Sequence, residues 1–70
     1  MKKRINIEGM SCNHCVMHVK NALSEVAGVK SVEVSLEGKY ALVDVEGASD
    51  DAMKAAVEDA GYDVISIVEA

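Results

Sequence analysis

This 70-residue chain contains two cysteines, Cys12 and Cys15, inside the run Gly9-Met10-Ser11-Cys12-Asn13-His14-Cys15. Thiols at this spacing turn toward one another across a single loop. Each sulfur is nucleophilic and metal-binding only as thiolate. The pair follows a strand-like segment and precedes an amphipathic helix, whose positive N-terminal end favours the anion. At least one thiol is therefore expected below the ordinary thiol pKa of ~8.5. Cys12, further out on the loop, is read as the attacking residue. The chemistry open to such a pair is soft-metal binding or dithiol–disulfide exchange.

Hydrophobic periodicity defines the elements that must position the pair. Lys3 to Glu8 alternates, with Ile5 and Ile7 on one face and Asn6 and Glu8 on the other, which is the pattern of a half-buried strand. Val16, Val19, Leu23 and Val26 form one stripe, and the spacing predicts a helix over 13–27 ended by Gly28. Val29 to Leu36 alternates with Val32, Val34 and Leu36 inward. Glu37-Gly38-Lys39 is a hairpin connection to a strand from Tyr40 to Glu46, with Ala41, Val43 and Val45 inward. Ser49 suits the N-cap of a second helix, Asp50 and Asp51 its first turn, and Gly61 its end. Its stripe is Met53, Ala56, Val57 and Ala60. Tyr62 to Val68 is a last strand whose buried face the alternation leaves open. The order β-α-β-β-α-β comprises two strand-helix-strand units with right-handed crossovers. It predicts an α+β, ferredoxin-like sandwich over residues 1–70 as a single domain: a four-stranded antiparallel sheet with both helices on one face.

Composition narrows the function classes. Half of the residues are hydrophobic while Phe, Trp and Pro are absent, so the core must be aliphatic. A chain this short buries only roughly 60% of its unfolded surface, and it has little material for the walls of a ~300 Å³ substrate pocket. It is not expected to be an enzyme. The net charge is −5, and it is uneven: residues 1–35 carry five basic and three acidic groups, residues 36–70 two and nine. So acidic a chain lacks the basic stripe that nucleic acid requires. Lys2, Lys3 and Arg4 are read as the solvated start of a strand. No apolar run follows them as a secretory signal would demand, and none approaches the ~20 residues of a membrane span. A cytoplasmic protein without membrane insertion is expected, with its thiols kept reduced.

Three chemistries compete for the cysteines. A thioredoxin-like redox enzyme needs a longer chain, a Trp before the first Cys and a Pro facing it. This sequence has neither residue. Structural zinc needs four closed ligands; a second Cys pair is missing, and His14 and His18 are the only nitrogen candidates. Two thiolates suffice for a d¹⁰ ion such as Cu(I), which prefers sulfur. A site left open at its other positions also hands its metal on.

Gly-Met-Ser-Cys-x-x-Cys after a first strand, Gly61-Tyr62-Asp63 after the second helix and the β-α-β-β-α-β order resemble the heavy-metal-associated domain, and within it the bacterial Atx1-like copper chaperones. The resemblance covers the whole chain. It implies Cu(I) bound by Cys12 and Cys15, with Zn, Cd, Hg or Ag substituting in vitro. It also implies delivery by thiolate ligand exchange to the metal-binding domain of a copper-transporting P-type ATPase. A copper-responsive repressor and a metal-bridged homodimer are further associations it implies. Relatives that bind zinc, cadmium or lead often carry Asp where this chain has Ser11, and mercury relatives are typically periplasmic with a signal peptide, absent here. Both departures favour copper. The alternative within the fold is an excised N-terminal metal-binding domain of such an ATPase; the start at Met1 and the end just past the last strand favour a free-standing protein. From another class, the alternative is a small dithiol redox protein.

The remaining residues near the motif have competing roles. Met10 is read as a flexible core filler beneath the loop, against a thioether ligand. His14 and His18 point away from the apolar stripe and are read as solvated imidazoles. For His14, contact with metal in a dimer or proton donation to an exchanging thiol is the competing role. Tyr62 is read as facing the metal site, as the resemblance implies for the bacterial branch, with its hydroxyl near a ligand sulfur; covering the edge of the core is the alternative. Lys20 and the acidic second half are solvated faces that steer docking.

Overall fold

The computed structural model describes residues 1–70. Its elements are β1 (Lys2–Glu8), α1 (Asn13–Ser24), β2 (Val29–Ser35), β3 (Tyr40–Val45), α2 (Asp50–Asp59) and β4 (Asp63–Glu69). The strands form one sheet in the order β2-β3-β1-β4, with every neighbouring pair antiparallel. This is the ferredoxin-like arrangement that the element order predicts. β1 lies inside the sheet, with Ile5 opposite Ala41 on β3 and Ile67 on β4.

The core is the face of the sheet that the helices cover. Ile5, Ile7, Val32, Ala41, Val43 and Val45 rise from the strands, Val19 and Leu23 from α1, Met53 and Val57 from α2, and Met10 from the first loop. No polar or charged residue is buried among them. α2 begins as expected: Ser49 Oγ accepts the Ala52 N–H at 3.1 Å, and Asp50 and Asp51 occupy the first turn. Lys3 Nζ adds an ion pair to Asp50 Oδ1 at 2.5 Å, tying β1 to the start of that helix. The outer face of the sheet is mostly polar, with Leu42 and Val68 beside Arg4. Arg4 stacks 4.1 Å above the Tyr40 ring, and Asn6 Nδ2 donates to Ser66 Oγ at 2.9 Å. Neither helix is long and apolar enough to cross a membrane.

Two departures from the periodicity have physical causes. α1 stops at Ser24, short of the expected 27. Ser24 Oγ donates back to the Lys20 carbonyl at 2.7 Å, and the Val26 N–H tightens onto the Leu23 carbonyl at 3.1 Å. Gly28, at φ +93°, then turns the chain; a Cβ there would come within 2.7 Å of the Ala48 nitrogen. Val26 still packs on the core, so the apolar stripe outlives the helix.

The second departure is in β4. The register against β1 runs Asn6 opposite Ser66, then Ile7 opposite Val64, which leaves Ile65 as an extra residue. Val64 and Ile67 both pack on the core, whereas Ile65 is 65% exposed. This bulge is why simple alternation does not identify the buried face.

Ile7→Ala should lower the unfolding free energy by ~2–4 kcal/mol through loss of buried methyl groups and the cavity left behind. Ile65→Ala, at the bulge, should stay within about 0.5 kcal/mol of the parent. Urea unfolding midpoints of the two variants check this; equal losses would mean that Ile65 is packed after all.

Candidate metal centre

Three segments meet at the end of the sheet where β1 stops. The first is the loop from Gly9 to Cys12. Met10 anchors it from below, at 8% exposure within the core. This is the packing role expected of Met10. Cys12 follows in extended conformation (φ −158°, ψ 174°) and is the N-cap of α1. Its carbonyl accepts the Cys15 N–H at 3.0 Å and the Val16 N–H at 3.3 Å.

The second segment is the first turns of α1. That first turn holds no acidic side chain, so the positive end of the helix is left for the sulfurs. Cys12 is exposed, Cys15 is half-buried against the core, and both are free thiols. Their sulfurs stand 3.7 Å apart, and the Ser11 hydroxyl lies 3.8 Å from Cys15 Sγ. A single ion at a metal–sulfur distance of about 2.3 Å is within reach of both. No group of three or more His, Cys, Asp and Glu side chains converges to hold a metal, so the closed set of a structural zinc site is not formed.

The third segment is the turn after α2. Gly61 adopts φ +101°, its N–H reaches the Glu58 carbonyl at 2.9 Å, and the Tyr62 N–H reaches the Val57 carbonyl at 3.3 Å. These are the two bonds of a Schellman motif, which fixes the direction in which the chain leaves the helix. Tyr62 therefore precedes β4 instead of opening it, and its ring lies over Gly9: a Cβ built there would sit 3.7 Å from Tyr62 Cδ1.

The electrostatics centre on Cys15. Its pKa falls to about 6, first through hydrogen bonding from the Ser11 backbone and then from the Tyr62 hydroxyl. Partial burial opposes the shift, and the Cys12 backbone and Ser11 hydroxyl add to it. The same contact with Cys15 pushes the Tyr62 phenol up to about 12, so it stays protonated as a donor. The resemblance implies a Tyr62 hydroxyl near a ligand sulfur; the direct hydrogen bond of that hydroxyl in the structure is to His18 Nδ1, at 3.4 Å. The stabilised thiolate is Cys15, whereas Cys12 is the more accessible sulfur.

The histidines divide. His14 and His18 are both exposed, as their outward phase on α1 predicts. His18 nevertheless has a partner that periodicity misses: its Nδ1 lies 3.4 Å from the Tyr62 hydroxyl, across 44 positions of sequence. Only the sheet topology brings those residues together. Tyr40, the other tyrosine, lies under Arg4 on the far face of the sheet.

In a Cys12→Ser background, alkylation of Cys15 should follow a titration with its midpoint near pH 6. Tyr62→Phe should move that midpoint upward by removing a donor. The folded pKa lies well below the ordinary thiol value, so from about 6 up to that value the unfolded chain binds the extra proton. This contribution to stability is complete above pH 9 and is lost as pH falls through about 6. Alkylation rates against pH, with urea unfolding of the same variants, check both statements.

Comparison with known proteins places this geometry. The heavy-metal-associated domain family matches residues 4–63. A copper chaperone CopZ of Staphylococcus haemolyticus is 47% identical over 66 residues, covering 91% of this chain and 97% of the relative. Among solved structures, a CopZ metallochaperone is similar at a TM-score of 0.89 and 40% identity, covering 93% of this chain and all of that one. A copper binding domain from HMA7, a P-type ATPase, is similar at 0.86 and 29% identity, covering 96% and 97%. Matched along most of its length in sequence and superimposable in backbone on these solved relatives, the chain belongs to the heavy-metal-associated domain family.

Proposed function

We propose that the chain is a cytosolic copper chaperone that holds Cu(I) between the thiolates of Cys12 and Cys15 and passes it to the metal-binding domain of a copper-transporting P-type ATPase. The observation that carries this reading is the pair of free sulfurs 3.7 Å apart on an open loop at a helix N-terminus. Two thiolates suit a soft monovalent ion, and the exposure of Cys12 leaves one flank open. An incoming thiolate adds to the ion there before Cys12 and Cys15 let go. The departing sulfurs leave as thiolates in equilibrium with solvent protons, Cys15 remaining mostly the anion above about pH 6, and no electron moves. The ion is cargo, and nothing in this exchange makes the chain an enzyme.

The names of the relatives support the copper assignment, and the likeness to an ATPase copper binding domain supports the acceptor. On this reading donor and acceptor share one fold, which suits transfer by ligand exchange. The same likeness carries a second reading, a unit tethered within such an ATPase. The higher identity to chaperones, 47% and 40% against 29%, favours the carrier. A copper-responsive repressor fits the same exchange chemistry as a further acceptor, and the open flank admits a second copy bridging the ion.

Anaerobic titration against a Cu(I) chelator tests the ligands. The Cys12→Ser, Cys15→Ser double variant should lose most high-affinity binding while keeping its circular dichroism spectrum; tight binding that survives would reject the site. Tyr62→Ala should surrender copper to the chelator about tenfold faster, the scale on which groups supporting a ligand act. Tyr62→Phe should fall between, and Tyr40→Ala should match the parent. Equal release from Tyr62→Ala and the parent would reduce Tyr62 to a packing role.

A further inference from the structure

His14 and His18 stand four residues apart on α1, and both are exposed. Helical residues at i and i+4 share a face, with Cβ atoms about 5–6 Å apart. Two histidines at that spacing present two nitrogens from one helix face to a single divalent ion. The dithiol reading uses neither ring as a ligand.

The His18 ring is also held. Its Nδ1 lies 3.4 Å from the Tyr62 hydroxyl, and Tyr62 is itself fixed by the turn after α2. In the tautomer whose Nδ1–H donates to the phenol oxygen, the lone pair is on Nε2 and free for a metal. A histidine whose second nitrogen donates to a fixed acceptor is oriented as a ligand.

We propose that His14 and His18 form a second metal site on the exposed face of α1, a bidentate imidazole pair for a borderline divalent ion such as Cu(II), Ni(II) or Zn(II). Water fills the remaining positions. Imidazole nitrogen suits these ions, whereas the thiolates select soft ones. The chain thus offers two donor sets of different softness whose residues interleave along positions 12–18. This site does not depend on the dithiol reading.

Cu(II) oxidises thiols, so the probe is Cu(II) on the Cys12→Ser, Cys15→Ser variant; alkylated wild-type protein serves if that variant unfolds. Calorimetry should show one Cu(II) per chain, and electron paramagnetic resonance should show coupling to two nitrogens. His14→Gln or His18→Gln in the same background should each weaken binding about tenfold or more, because the second ligand then no longer benefits from a high effective concentration. Tyr62→Phe should weaken it by about tenfold, with both nitrogens still coupled. Affinity that neither histidine replacement changes overturns the site. So does a loss confined to one histidine, which means a single-ligand surface contact. Both outcomes leave Cu(I) binding by the wild-type thiols untouched.

Discussion

Burial of Ile5 and Ile7 is the constraint on which the rest of the molecule depends. They belong to the one strand that pairs with both β3 and β4 while feeding directly into the cysteine loop. Both are fully buried, and the stripes of both helices close over the face they share. Because β1 is held along two edges and from above, the loop after Glu8 leaves the sheet in a fixed place and direction. The core that holds it is aliphatic, without an aromatic ring or a polar side chain, and its cohesion comes from removing apolar area from water at about 25 cal/mol per Å².

The two helices use the same electrostatic device for different ends. At the start of α2, Ser49, Asp50 and Asp51 occupy the positive terminus, and Lys3 in turn pairs with Asp50. At the start of α1 there is no acidic residue in the first turn and no side-chain cap, so the terminus is available to sulfur. One terminus stabilises the fold, and the other stabilises an anion that the fold does not need. The depressed Cys15 thiol comes first from the Ser11 backbone in the loop that leads into this terminus, and then from the hydroxyl that the turn after α2 delivers from far along the chain.

Most of the fold could be read from spacing because its elements obey simple periods. Ile5 and Ile7 alternate, Ala41, Val43 and Val45 alternate, and Met53 and Val57 recur at helical intervals, and all are buried. What spacing misses is where backbone geometry departs from period. Val26 continues the apolar stripe past the end of α1 because a tight turn still aims it inward. Val64 and Ile67 share a face only because a bulge absorbs Ile65. At the candidate site, the motif singles out Cys12 and Cys15, whose sulfurs the fold brings to 3.7 Å, and the phase of α1 gives the exposure of both histidines. The contact between His18 and Tyr62 had no local signal, being a product of sheet order and the turn at Gly61.

The position of the sulfurs relative to the core has a thermodynamic consequence. Cys12 lies in solvent and Cys15 only touches the edge of an apolar cluster that is complete without either thiol. In small zinc domains the metal organises the chain, so the apparent binding free energy of about 10–16 kcal/mol includes the work of folding. Here the chain is already organised, and whatever the loop holds is bound through local bonds alone. Losing it then requires no unfolding and gaining it no refolding. An ion moving between two such loops exchanges like bonds for like bonds. If the chain passes an ion on as proposed, the direction is left to supply and demand at either end, unopposed by the chain's own conformational free energy.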